Sequence, residues 1–483
     1  MTLDDRTRWL ALYVLCLGSL MIVLDSTIVN VALPSIREDL GFSESSLAWV
    51  VNAYLLTYGG LLLLGGRLGD LYGQRRLFVF GITLFTVSSL ACGLSTTEGF
   101  LVAARAVQGI GGAIASAVSL SLIMILFTET DERAKAMGFF GFVAAGGGSV
   151  GVVLGGLLTD ALDWHWIFLV NVPIGVLVCA LCVRLLPVPE RAARTGRLDV
   201  PGAVTVTASL MLAVYAIVNG NQDGWTSAQT LGLLAVAAAL LALFLAIEAR
   251  VAAPLMPLRL FRLRNVATAN AIGVLWAAAM FAWFFLSALY LQLVLGYSPL
   301  QVGLAFLPST LIMGAFSIGL SAKLVMRFGI RPPLAVGLSV AAVGLLLFVR
   351  APVDGNYVRD VLPSMILLGL GGGMAFNPVL LAAMNDVEPS EAGLASGVVN
   401  TSFMMGGALG LAVLASLAAS RTSSLRDSGE GPLAALAGGY HTAFLVGALF
   451  ALTAAALGTA LLHAPRPAAG QEGGDQARDL ARV

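Results

Sequence analysis

Charge is what this chain has least of. Of its 483 residues only 11% are Asp, Glu, Lys or Arg, where an ordinary soluble domain has about 25%. With 58% hydrophobic residues, too little polar surface remains to keep a globule of this size in water. A soluble enzyme, a nucleic-acid binder, a disordered scaffold and a secreted disulfide module are all excluded. Cysteine is also scarce. Cys16, Cys92, Cys179 and Cys182 all lie in apolar stretches, so no disulfide framework is expected. The Cys179-x-x-Cys182 pair reads as small packing residues within a helix rather than a redox pair. The three histidines, His165, His441 and His463, fall at the ends of apolar runs without metal-site spacing, so no metal is expected.

What the chain has is length of apolar run. Crossing about 30 Å of hydrocarbon takes roughly 20 apolar residues in a helix. Fourteen segments qualify: 9–32, 47–66, 77–95, 99–127, 136–159, 164–186, 200–219, 228–248, 266–292, 300–322, 333–349, 361–382, 391–418 and 440–462. All are expected to be helices, since lipid offers no hydrogen bonds to exposed backbone. The first run follows Arg6 and Arg8 like a signal peptide. It is too long and lacks a cleavage site, so it reads as a retained helix.

The loops give an orientation. One alternating set carries 21 basic residues and the other 5, with Arg105 inside a span. The positive-inside rule places both termini in the cytoplasm. Two loops are alike: Gly66-Arg67-Leu68-Gly69-Asp70 to Arg76, and Lys323 to Arg331. Tyr72/Phe328, Gly73/Gly329 and Arg75/Arg331 correspond in register, the faint symmetry of a transporter built from repeated halves. Residues 1–186 would form an N-terminal six-helix bundle. Residues 187–250 would hold a linker and two inserted helices, and 251–463 a second six-helix bundle. Residues 464–483 read as a disordered cytoplasmic tail.

Two ionisable residues stand within spans, Asp25 and Arg105. A charge near the bilayer centre costs at least about 2.5–3.5 kcal/mol. The pair reads either as a packing ion bridge or as a proton or cation site in a water-accessible cavity. Gly147, Gly151 and Gly155, with Gly156 beside them, bare one face of the fifth span for close helix contact. The same stretch matches G-x-G-x-x-G and G-x-S-x-G, but neither the βαβ unit nor a catalytic base is present to give them meaning.

Several segments in this order resemble the major facilitator superfamily, in particular its fourteen-helix drug:proton antiporter group (QacA/EmrB-like). They are Leu24-Asp25-Ser26-Thr27-Ile28-Val29-Asn30 through Pro34, and Gly66-x-Leu68-Gly69-Asp70-x-x-Gly73-x-Arg75-Arg76. Next come Arg105-x-x-Gln108-Gly109-x-Gly111-Gly112, then Gly147-x-x-x-Gly151-Val152-x-x-Gly155-Gly156. The last is Trp164-His165-Trp166 to Asn171-x-Pro173-x-Gly175. The sequence departs from the family at Leu71 and His165, where basic residues are usual, and at Val152, where proline is usual.

The resemblance implies an all-α integral membrane protein of the major facilitator fold. It would have 14 transmembrane helices, as two pseudo-symmetric six-helix bundles plus two inserted helices. It implies a monomer in the cytoplasmic membrane that exports drug-like small molecules in exchange for protons, by alternating access. The proton gradient would supply the energy, with no cofactor, no enzyme activity and no nucleic-acid partner. Asp25 and Arg105 would couple the proton, and drug cation and proton would compete for Asp25. Gly66, Asp70, Gly73, Arg75, Arg76 and Arg133 would form a conformational latch, with Asp70 facing a helix start near Ala392. Asn52, Gln108, Trp276, Trp283, Asn377 and Asn400 are available to line a substrate cavity. Rival readings are an exporter of a native metabolite (a siderophore, peptide or self-made antibiotic) and a non-transporting sensor on the same fold.

Overall fold

The computed structural model describes residues 4–127, 129–186, 198–251, 254–384, 387 and 392–462. The expected tail and most of the expected linker lie outside the described residues, among which there is no strand. The first six transmembrane segments comprise α1 (Asp5–Leu40), α2 (Trp49–Tyr72), α3 (Gln74–Gly93), α4 (Glu98–Leu126), α5 (Thr130–Ala161), and the pair α6 (Trp166–Leu169) and α7 (Asn171–Leu185). A hairpin follows, α8 (Val200–Asp223) and α9 (Ala228–Glu248). The rest comprises α10 (Arg264–Leu289), α11 (Pro299–Ala315), α12 (Ser321–Phe328), α13 (Arg331–Phe348), α14 (Leu362–Met384), α15 (Ala392–Asp427) and α16 (Pro432–Leu461).

Twelve described helices are long and apolar enough to cross a membrane. Where spans five and ten are expected, the qualifying apolar helices are shorter, Gly147–Ala161 and Pro299–Ala315. The helix that carries the first of these is nevertheless continuous over 32 residues. The second is interrupted by a π turn, Phe316–Leu320, before α12 resumes. Leu231, Val236, Leu241, Leu243 and Leu245 of α9 are exposed. A helix that is apolar all round and exposed on the outside of a bundle belongs in lipid, not water.

The helices pack by a pattern that occurs twice. In the first set α1 packs on α5, α4 and α7; α4 packs on α2 and α3; and α3 packs on α7. In the second set α10 takes the place of α1, α11 of α2, α13 of α3, α14 of α4, α15 of α5 and α16 of α7, and the six pairings recur one for one. The two sets then meet by exchange, α5 on α11 and α2 on α15. The likeness between the loops after α2 and α12 has a backbone counterpart. Gly73 and Gly329 both adopt positive φ, 95° and 77°, where a side chain would be strained. Each therefore turns the chain into the next helix at the same point of its set.

Candidate functional site

The site begins with glycine, because glycine sets how closely the helices approach. A Cβ on Gly109 would run into the Tyr54 carbonyl and the Thr57 hydroxyl of α2. A Cβ on Gly111 would lie 2.6 Å from the Phe85 backbone nitrogen of α3. The glycines of α4 thus draw α2 and α3 in around Arg105 and Gln108, one turn away.

Arg105 and Asp25 are fully buried and form an ion pair of 2.6 Å. The remaining groups satisfy both. Gln108 Nε2 donates to Asp25 Oδ1 at 2.7 Å and Asn171 Nδ2 donates to the same oxygen at 2.9 Å. Gln108 Nε2 also reaches the Ser89 hydroxyl at 2.7 Å. Arg105 Nη1 donates to Gln108 Oε1 at 2.6 Å, and its Nε donates to the Val50 carbonyl at 2.9 Å. Its guanidinium lies 4.4 Å from the Tyr54 ring centre, a cation–π contact. Helices α1, α2, α3, α4 and α7 therefore converge on one carboxylate. Both charges are hydrogen-bonded, as buried ions must be.

Gln108 belongs to this network. Asn171, Ser89 and Tyr54 are additions that the sequence reading did not single out. Asn171 stood inside a quoted motif, which was the only signal. With no exposure and with both its oxygens occupied, Asp25 offers nothing to a cargo molecule in this conformation. Direct competition at this carboxylate is therefore not open to the structure as it stands.

The other expected cavity residues separate. Trp276 lies with Phe376, Val399, Asn400 and Phe403 around a narrow space between α10, α14 and α15. Trp283 is buried against Phe284 and Phe306. Asn377 donates to the Ser317 carbonyl at 2.7 Å, joining α14 to the π turn. Asn52 is fully buried, and neither atom of its amide has a partner. The Trp276 and Trp283 indole nitrogens also lack partners. Leaving such a group unmet costs about 1–3 kcal/mol, so each of the three has a hydrogen bond to offer.

On the expected latch, Arg75 donates to the Val183 carbonyl at 2.5 Å. Gly66 has open space where a Cβ would stand, and Arg76 is exposed. The side chains of Asp70 and Arg133, and that of Ala392, lie outside the described residues.

The fifth-helix glycines divide between two neighbours. Gly147 would meet Val23 of α1 at 3.0 Å, Gly151 the Leu24 carbonyl at 2.9 Å, and Gly155 the Ile28 carbonyl at 2.6 Å. Gly156 faces the other way, where a Cβ would lie 2.5 Å from the Pro299 carbonyl of α11. Gly303 of α11 returns the contact; a Cβ there would lie 2.7 Å from the Val152 carbonyl. One face of α5 thus binds its own set, and the other forms the seam between the sets. Val152 is buried in that seam, and without the family proline the helix passes through it unbroken. Gly155→Val should wedge α1 from α5. Overpacking costs about 1–3 kcal/mol, and the thermal midpoint of the purified protein should fall. A midpoint equal to that of the parent would show that the α1–α5 contact is looser than described.

A helical membrane protein made of two like-packed sets around buried polar groups is the architecture of a two-bundle transporter. The sequence matches the Major Facilitator Superfamily over residues 15–411, and the chain belongs to that family; it is a small-molecule transporter and not an enzyme. It is 40% identical to the puromycin resistance protein pur8 of Streptomyces alboniger, over 97% of this chain and 94% of that protein. It is 40% identical to the cephamycin export protein CmcT of Amycolatopsis lactamdurans, over 94% and 93% of the two chains. The fold is shared with a bacterial homologue of the human lysosomal transporter Spinster, at TM-score 0.67 and 15% identity over 95% of this chain and 97% of the other.

Proposed function

We propose that this protein is a proton-coupled antiporter that exports an antibiotic-like small molecule from the cytoplasm by alternating access. It would do so as a monomer with fourteen spans and both termini inside. The carrying observation is the Asp25–Arg105 pair, fully buried within the membrane helices and held by side chains of α4 and α7 and the α2 backbone. An intramembrane carboxylate with a fixed cation is the natural place to take up and release a proton when helices rearrange. The relatives named for resistance to puromycin and export of cephamycin support an antibiotic or a similar self-made product as the cargo class.

Cargo and proton occupy different sets of helices in this reading. The cargo meets Trp276 and Asn400, and the proton meets Asp25. Coupling then passes through the seams between the sets: outward opening parts α5 from α11 and exposes the Asp25 network to the outside. Inverted vesicles should take up the cargo only when their lumen is acidified. Equal uptake with the gradient collapsed would rule out proton exchange. Orientation is checked separately in a cysteine-free background. A cysteine at Asp223 should react with an impermeant reagent from outside, and one at Arg194 should not. The opposite labelling would invert the topology.

The arginine-poor side is closed by Glu44, which lies 3.7 Å from Arg37 and 3.3 Å from Arg426 of α15. Gln292, in the π turn just past α10, donates to the Val31 carbonyl of α1 at 2.8 Å. Part-exposed ion pairs contribute only about 0–1 kcal/mol, so Glu44→Gln should change transport less than threefold. A tenfold loss would mean that Glu44 has a role beyond closing this side.

A further inference from the structure

Four charged side chains are buried among the described residues: Asp25, Arg105, Asp199 and Glu248. The first two neutralise each other. The other two are both acids. Asp199 precedes α8 and is 2% exposed; Glu248 ends α9 and is 3% exposed. Each has one oxygen on a backbone donor. Gly202 N–H reaches Asp199 Oδ1 at 2.8 Å, where it caps α8, and Met256 N–H reaches Glu248 Oε2 at 3.1 Å. The second oxygen of each, Asp199 Oδ2 and Glu248 Oε1, has no donor. The hairpin lays the start of α8 beside the end of α9, and Ala203 packs on Leu255, next to the Met256 whose N–H holds Glu248, so the two carboxyl groups adjoin.

Two ionised carboxylates cannot hydrogen-bond, because neither has a hydrogen to give. Nor can they lie together out of water without strong repulsion. Among the described residues no ion pair reaches either of them. Among the described groups around Glu248, Asp199 is the one charge that bears on it. Arg67 on α2, Arg250 past α9 and Arg259 on the turn before α10 are exposed. The surroundings are apolar: Leu64 of α2, Ala203 of α8 and Leu255 pack together beside the pair. A hard metal ion takes six or more oxygen ligands, and only two oxygens are free. No group of three or more potential metal ligands occurs among the described residues. A single proton satisfies both oxygens.

We propose that Asp199 and Glu248 share one proton and form a second proton-binding site, at the base of the inserted hairpin. One carboxyl keeps the O–H and donates it to the other carboxylate; deprotonation sends that proton to water and leaves two like charges in contact. The entry to α8, the exit of α9 and the chain leading to α10 all meet at this proton. Its loss loosens the hairpin where it docks on α2. The site is independent of antiport and stands if Asp25 proves to be a static ion bridge.

The test is infrared spectroscopy of the purified full-length protein, with thermal unfolding alongside. Wild type at neutral pH should show a protonated carboxylic acid band that is lost in both Glu248→Gln and Asp199→Asn. Each amide keeps the shape and can donate to the remaining carboxylate, so both variants should fold. Wild type should lose thermal stability as pH rises from about 5 to about 7, because over that range the folded protein holds a proton that the unfolded chain has released, and the loss should level off above it. Neither variant should show that loss. The absence of any protonated-acid band in wild type at neutral pH overturns the proposal without recourse to variants. So does a band that both variants retain, or one removed by sodium or magnesium at fixed pH, which would mark a cation site.

Discussion

Arg105→Ala should leave little folded protein in the membrane. The substitution strands Asp25 as a buried carboxylate that has lost its 2.6 Å partner, and it removes the bond from Nε to the Val50 carbonyl. Removing one member of a buried pair costs about 3–5 kcal/mol, against a total stability of about 5–15 kcal/mol. Asp25→Asn should be milder. The amide keeps an oxygen for Arg105, and Arg105 retains Val50, Gln108 and the Tyr54 ring. The double variant Asp25→Asn with Arg105→Gln should be closer to the parent than Arg105→Ala alone, because no unpaired charge remains. Detergent-solubilised yield and thermal midpoint measure all three. If Arg105→Ala folds as well as the parent, the pair is not buried as described.

Gly303→Leu should reduce transport by at least tenfold while the protein still folds. A Cβ at this position would lie 2.7 Å from the Val152 carbonyl in the seam of α5 and α11, so a side chain there has nowhere to go while the seam is closed. Overpacking of about 1–3 kcal/mol would fall on one conformation only. At about 1.4 kcal/mol per factor of ten, it shifts the equilibrium by one to two decades toward the state open on the arginine-poor side. A cysteine at Gln292, whose amide bridges to α1 in the closed seam, should then react at least about tenfold faster with an external reagent. Unchanged reactivity together with unchanged transport would show that the two sets do not part along this line.

Much of this was legible in the sequence, because lipid leaves few choices. A run without charges has to be a helix, and an ionisable residue inside one has to find a partner; Asp25 and Arg105 could be paired on that ground. Glycines at fourfold spacing showed that α5 would be approached closely. They did not show that Gly156 serves a different neighbour from Gly147, Gly151 and Gly155, since spacing gives a face and not the helix that covers it. The pairing of Asp199 with Glu248 was not legible. Both stand at span ends, where acids are ordinarily solvated, and only the docking of the hairpin on α2 buries them. Asn171 was equally hidden, because an asparagine at a helix start reads first as a cap. Span ten was interrupted by a π turn that leaves no mark in hydropathy.

The central claim is that Asp25 carries the exchanged proton. The direct measurement is proton release from purified, folded protein in weakly buffered detergent when the compound transported by the vesicles is added. Wild type should release protons on cargo binding, and Asp25→Asn, shown to be folded and to bind the same compound, should release none. Release from Asp25→Asn equal to that of wild type would contradict the account and move the coupling site to Asp163 and His165 or to the Asp199–Glu248 pair.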